Sequence, residues 1–220
     1  VRDSDDGVSK PSRISPVMAG VLERLSRKPK EAPQEVGPTP SEVEGRLRRA
    51  GIERRLLTAS AGEVPATQRS VLAGWLTTAE ERLERGNGLY MWGPVGTGKS
   101  MAAVAVCREL AKITGSVRWW QTSDLLMSLG NPYHRQDMMR ELFGVRVLVL
   151  DDFGTQTLSA KHEEYMDQIA DARYRRRRTT IVTTNVQPGL IGLDRVMDRW
   201  KSTMIQVEFS GRSRREYKDG

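Results

Sequence analysis

Residues 93 to 100 read GPVGTGKS, and few folded settings accept such an octapeptide. Gly93, Gly96 and Gly98 let the backbone turn sharply and approach a ligand closely. The string fits G-x-x-x-x-G-K-[ST], a loop whose amides cradle a polyphosphate, and that meaning holds only between a strand and a helix. Both flanks comply. LYMW precedes it as an apolar strand, and MAAVAVCREL follows as a helix apolar on nearly every side, which suits burial against a sheet. The positive end of that helix faces the anion. Lys99 is expected to reach the β and γ phosphates, and the Ser100 hydroxyl to sit on Mg²⁺. Gly93, Pro94, Val95, Gly96, Thr97, Gly98, Lys99, Ser100 and the adjoining Met101 form the expected nucleotide-binding set.

From this loop onward the chain alternates strand and helix. Strands are expected over Leu89–Trp92, Val117–Gln121, Val145–Leu150, Thr180–Thr184 and Met204–Phe209. Helices are expected over Gly98–Ile113, Ser123–Leu129, Gln136–Phe143, Ala160–Arg176 and Leu193–Lys201. Such alternation predicts an α/β fold, a parallel sheet covered by helices on both faces. Upstream, Ser41 and Glu44 form a capping-box pattern that starts a helix ended by Gly51, and a second helix is expected over Thr67–Arg85 with Val71, Leu72, Trp75, Leu76 and Leu83 inward. Residues 1–40 hold six of the ten prolines and few large apolar side chains, so they read as an arm ahead of a domain over 41–220 whose phosphate-loop core spans about 86–216. Within the arm, Val17–Lys28 has apolar residues at helical spacing and could dock on a partner.

The third strand ends in Asp151 and Asp152. That edge of an open α/β sheet is where ligands bind. Asp151 is expected to hold Mg²⁺ through water, and Asp152 to act as general base toward the attacking water. Two adjacent acids would repel each other without a cation nearby. The fourth strand ends in Asn185, placed to hydrogen-bond the water or the γ-phosphate. Arg195 and Arg199 stand four apart on one helical face, and Arg212, Arg214 and Arg215 follow the last strand. Arginine suits the charge that spreads over a phosphoryl group in transfer.

One cysteine, Cys107, and two histidines cannot make an internal disulfide or a zinc site, and Cys107 is expected to be inert core. No apolar run reaches the ~18 residues of a membrane span, and no secretory signal opens the chain. The expected setting is therefore cytoplasmic, with no membrane partner and no metal but the Mg²⁺ of a nucleotide. The chain opens on Val1 rather than methionine, which leaves room for residues ahead of it in the natural protein. A net charge of +7 favours an anionic partner such as nucleic acid. Arg173, Arg175, Arg176, Arg177 and Arg178, interleaved with Tyr174, are either a phosphate-contacting patch, with Arg175 and Arg176 foremost, or cations that answer a helix dipole.

Taken in order, GPVGTGKS, VLVLDDFG, IVTTN, DRVMDR and GRSRR resemble the AAA+ ATPases of the bacterial helicase-loader group, the DnaC and DnaI type, and the related IstB transposition helper. The likeness covers roughly residues 48–216 and takes in AGIERRLL, similar to the family's nucleotide-proximal segment. It implies an AAA+ P-loop fold with a five-stranded parallel sheet, ATP and Mg²⁺ as cofactors, and ATP hydrolysis. It also implies Asn185 in the sensor-1 role, Arg199 as an arginine finger acting on the neighbouring subunit, and Arg215 in a sensor-2-like role. A trans finger implies an ATP-held ring or spiral of copies of this chain. Only 35 residues follow Asn185, so no separate helical lid is expected. By the same likeness NPYHRQDMMREL stands where loaders carry a helical element that tracks single-stranded DNA, with Tyr133, His134, Arg135 and Arg140 as the candidates. Asp152 departs from the glutamate of most AAA+ proteins, which implies slow turnover. Three readings remain open: a loader delivering a hexameric replicative helicase on single-stranded DNA, an IstB-like helper of a transposase on duplex DNA, and an ATP-binding adaptor or kinase without DNA.

Overall fold

The computed structural model describes residues 37–58, 61–155, 157–211 and 213. The arm expected over 1–40 and its Val17–Lys28 island fall almost wholly outside them, as do Arg212, Arg214 and Arg215.

Five strands, β1 (Gly88–Trp92), β2 (Val117–Gln121), β3 (Val147–Phe153), β4 (Thr179–Thr184) and β5 (Met204–Glu208), form one sheet in the order β2-β3-β4-β1-β5, parallel throughout. The three inner strands are buried along almost their whole length, as strands covered on both faces must be. Side chains alternate between the two faces and so divide the core in two. On one face Leu89, Met91, Val147, Val149 and Ile181 pack against α1 (Pro40–Arg49), α2 (Ala66–Leu76), α3 (Ala79–Arg85) and α4 (Lys99–Ile113). On the other, Tyr90, Leu148, Leu150 and Val182 pack against α5 (Thr122–Leu129), α6 (Pro132–Gly144), α7 (Ala160–Arg175) and α8 (Asp194–Thr203). Because β4 lies between β1 and β3, the segments leaving these three strands emerge side by side at one edge. That adjacency builds the site described below.

The first helix is capped two residues earlier than its sequence pattern suggests. Pro40 lacks an amide hydrogen and suits the first helical position, so Thr39 becomes the cap. Its hydroxyl accepts the Glu42 N–H at 3.3 Å, and the Glu42 carboxylate accepts the Thr39 N–H at 2.7 Å. The helix expected over Thr67–Arg85 is two helices. At the break Thr77 Oγ1 donates to the Gly74 carbonyl at 2.8 Å and Thr78 Oγ1 accepts from Arg82 Nε at 2.9 Å, local bonds by which threonine competes with helix continuation. Val71 is exposed rather than inward. Helix α6 starts at Pro132, earlier than expected, because Asn131 caps it by accepting the Tyr133 N–H at 3.0 Å. Strand β3 runs on through the two aspartates to Phe153.

Arg173 is a larger correction, because it belongs to no surface patch. It is 1% exposed and donates to the carbonyls of Leu142 (2.6 Å), Val145 (3.0 Å) and Thr179 (2.5 Å) and to Thr180 Oγ1 (2.8 Å). One guanidinium thus ties α7 to the end of α6 and the start of β4. Burial lowers its pKa to about 9, which leaves it cationic at neutral pH.

Candidate nucleotide site

The loop between β1 and α4 is pinned before it reaches any ligand. Gly93 N–H donates to the Thr184 carbonyl at 3.2 Å, and Phe209 N–H donates to the Trp92 carbonyl at 2.7 Å. Gly93 has φ 143°, and a Cβ there would stand 2.0 Å from the Phe209 carbonyl oxygen, so only glycine fits. Lys99, 7% exposed, folds back under the loop. Its ammonium donates to the carbonyls of Gly93 and Pro94 and to Asn185 Oδ1, each at 2.8 Å. Thr97 Oγ1 closes the turn on the Pro94 carbonyl at 2.9 Å.

The other wall comes from β3 and β4. Ser100 Oγ, in the first turn of α4, donates to Asp151 Oδ1 at 2.8 Å. Thr183 Oγ1 donates to the same oxygen at 2.5 Å, and Thr122 Oγ1 donates to the Asp151 carbonyl at 2.9 Å. Asn185 Nδ2 donates to Asp152 Oδ1 at 3.2 Å, so this carboxamide joins Lys99 to Asp152. Burial pushes the Asp151 carboxyl above its ordinary range. The Thr183 and Ser100 hydrogen bonds oppose that rise, and the neighbouring Asp152 charge adds to it. A buried carboxylate beside a second acid is relieved by a cation.

Lys99, Ser100, Asp151, Asp152, Thr183 and Asn185 line a cavity of about 570 Å³. Gly96 and Gly98 stand along it, together with Val95 and Met101. Arg55 and Leu56, from the AGIERRLL stretch, and Glu63 and Gln121 complete its lining. Sequence reasoning missed Glu63, Gln121, Thr122 and Thr183. For Thr183 a signal existed: it stands two residues before Asn185 along a strand and therefore shares its face. No group of three or more acidic, histidine or cysteine side chains able to hold a metal occurs among the described residues. The donor set of Ser100 and Asp151 instead suits Mg²⁺, which takes one or two protein oxygens and completes its shell with phosphates and water.

The remaining candidates among the described residues stand off this cavity. Arg199 Nη2 donates to Asp171 Oδ1 at 2.8 Å, and its Nη1 donates to the Arg195 carbonyl at 2.8 Å and to Asp167 Oδ1 at 3.4 Å. The hydrogen bond from Arg199 holds the Asp171 carboxyl below its usual range, with Arg175 adding to it. Tyr133 is 88% exposed, and His134 is exposed beside it. Arg135 is in structural use: it donates to the Leu129 carbonyl at 2.7 Å and lies over the Tyr165 ring, 5.3 Å from its centre. Arg140 pairs with Asp137 at 2.7 Å, and Arg175 pairs with Asp171 at 2.8 Å. Arg176 lies 5.7 Å from the centre of the Phe143 ring. Cys107 is fully buried, with its thiol pushed up to about 12, as expected of inert core. No described helix is long and apolar enough to cross a membrane.

Known proteins match this arrangement. A family model described as IstB-like ATP binding protein matches residues 75–202. An ATP-binding protein of an insertion sequence in Mycobacterium tuberculosis is 29% identical over 62% of this chain and 59% of its own length. The replicative helicase loader DnaC of Escherichia coli K12 is 31% identical over 50% of this chain and 48% of its own. The chain thus spans only about half to three fifths of these relatives. Among solved structures, DnaI superposes with a TM-score of 0.64 at 23% identity, over 74% of this chain and 94% of that one. The DnaC helicase loader superposes at 0.62 and 21% identity, over 72% of this chain and 100% of that one. At such identities the likeness concerns the fold.

Proposed function

The chain belongs to the IstB-like ATP-binding protein family, and from that premise we propose that it is an ATPase acting as a DNA-loading factor, one that engages single-stranded DNA and delivers a hexameric replicative helicase. The observation that carries the ATPase reading is the convergence of Lys99, Ser100, Asp151, Asp152 and Asn185 on one cavity.

In this reading the loop amides and the N-terminus of α4 bind the β and γ phosphates, and Lys99 supplies a fixed positive charge beside them. Ser100 and Asp151 hold Mg²⁺, which when bound with ATP neutralises charge on the phosphate oxygens. Asp152 accepts the proton of the water that attacks the γ-phosphorus as the bond to the ADP oxygen breaks. Asn185, already bonded to Asp152, orients that water. Leu56, Met101 and Arg55, which also line the cavity, are the side chains offered to the nucleoside. Arg199 serves as the finger toward a neighbouring copy's nucleotide in an ATP-held ring or spiral, leaving Asp167 and Asp171 to do so, and Arg215 takes the sensor-2-like role. Arg199→Ala is expected to spare ATP binding while lowering turnover and assembly. An unchanged ATPase rate at matched assembly removes the residue from that role.

The DNA reading draws on exposed Tyr133, which offers a stacking face, with His134 beside it and Arg140 nearby, and on exposed Arg175 and Arg176. Residues 17–28 are the candidate contact for the helicase, and the setting is the cytoplasm. The insertion-sequence relative supports a second reading, a transposition helper that assembles on duplex DNA and activates a transposase. Fluorescence anisotropy with single-stranded and duplex oligonucleotides of equal length, at fixed salt, with and without ATP and Mg²⁺, separates the two. ATP-dependent preference for the single strand is the expected result. Preference for duplex favours the transposition helper, and no ATP-dependent binding to either removes the DNA-loading role.

A further inference from the structure

Two consecutive carboxylates, Asp151 and Asp152, line the same cavity, although consecutive residues of a regular strand point to opposite faces of the sheet. The pairing of β3 with β4 accounts for this. Leu150 stands opposite Val182 and Phe153 opposite Thr184, which leaves Asp151 and Asp152 to share the single residue Thr183. Two residues against one is a β-bulge, which re-aims a side chain and leaves a backbone group without its ladder partner. Asp152 makes the turn with φ 55°, in the left-handed region that non-glycine residues seldom adopt.

The Thr183 side chain, 1% exposed, fills the resulting gap. Its hydroxyl accepts the Asp152 N–H at 2.9 Å and donates to Asp151 Oδ1 at 2.5 Å. A peptide N–H can only donate, so the single hydroxyl proton is committed to Asp151. One oxygen atom therefore fixes the backbone of one aspartate and the carboxylate of the other. We propose that Thr183 is a positioning residue for the phosphoryl chemistry, its hydroxyl locking the bulge that presents Asp151 to the cation and Asp152 to the attacking water. This rests on the reading of the cavity as a Mg²⁺–ATP site.

Thr183→Val keeps the shape and removes the hydroxyl, whereas Thr183→Ser keeps the hydroxyl and removes the methyl. The readout is the affinity for Mn²⁺, as a spectroscopic stand-in for Mg²⁺, in the presence of a non-hydrolysable ATP analogue, followed by electron paramagnetic resonance. Turnover and the affinity for a fluorescent ATP analogue in EDTA are measured alongside. The valine variant is expected to bind the analogue in EDTA as wild type does, to bind Mn²⁺ at least tenfold more weakly, and to turn over at least tenfold more slowly. The serine variant is expected to restore both. Should valine unfold the chain in a thermal melt, Thr183→Ala is the second hydroxyl-free variant, read in the same way against serine. Wild-type Mn²⁺ affinity and turnover in a folded hydroxyl-free variant overturn the proposal. So does a serine variant as impaired as valine, because the methyl would then be the active feature. Failure of the wild-type protein itself to bind the analogue with Mn²⁺ overturns the reading of the cavity, and the proposal with it.

Discussion

The polar side chains of the nucleotide cleft and those of the α7–β4 turn are held in opposite ways. In the cleft, Lys99, Asp151 and Thr183 are buried and bonded to one another's supports, so each hydrogen-bond partner fixes the next. In the turn, Tyr174, Arg175, Arg176 and Arg177 are exposed, with Arg175 paired to Asp171 and Arg176 lying on a ring. The first arrangement serves chemistry, because a buried, fully bonded group has one position. The second would suit contact with a polyanion under the proposed DNA-loading role, where the number of cations governs affinity. Arg173 belongs to the turn by sequence and to the interior by structure, and it shows how far one helical position can move a residue between the two regimes.

Substitutions can break or sharpen this contrast. The largest effect is expected from Lys99→Ala, which removes the charge proposed to meet the phosphates and takes the lysine's hydrogen bond from the Gly93 carbonyl, while the Pro94 carbonyl keeps Thr97. Nucleotide affinity, read with a fluorescent ATP analogue, should fall at least a hundredfold, about 3 kcal/mol. Asp152→Asn preserves shape and the Asn185 contact but cannot take a proton. ATP binding should persist while turnover drops by about 10²–10⁴, the usual worth of a positioned general base, and full turnover would remove Asp152 from that role. Arg173→Leu strands the Leu142, Val145 and Thr179 carbonyls, and urea unfolding should show a loss of about 3 kcal/mol, at ~1–3 kcal/mol for each unmet buried group. A loss below ~0.5 kcal/mol would mean that the guanidinium is not a fastener. The smallest effect is expected from exposed Arg177→Ala, with stability within ~0.5 kcal/mol of wild type. If the turn contacts phosphates, its DNA affinity should weaken alike for all sequences and its salt slope should fall by about 1.

The phosphate loop is legible in the amino-acid sequence because its meaning is contiguous: glycines, lysine and serine act through local backbone geometry. Asp151 and Asp152 are legible as a strand end but not as a bulge. The spacing from Asn185 puts Thr183 on the face of the site, but that its hydroxyl meets both aspartates depends on a pairing register that neither strand encodes alone. Thr39 displaces Ser41 as the cap through Pro40, a local signal outweighed by a better-known pattern. Arg173 carries a signal for an inward position. It continues the stripe of Met166, Ile169 and Ala170 at helical spacing, all buried, but the surrounding run of arginines suggests surface instead.

The most direct test of the central claim is a calorimetric titration of the wild-type chain with ATP in the presence of Mg²⁺ at fixed salt, followed by phosphate release from the same sample. The account predicts one ATP bound per chain, with binding tightened by Mg²⁺ and slow phosphate release that stops when the cation is chelated. Absence of ATP binding, or phosphate release indifferent to Mg²⁺, would contradict it.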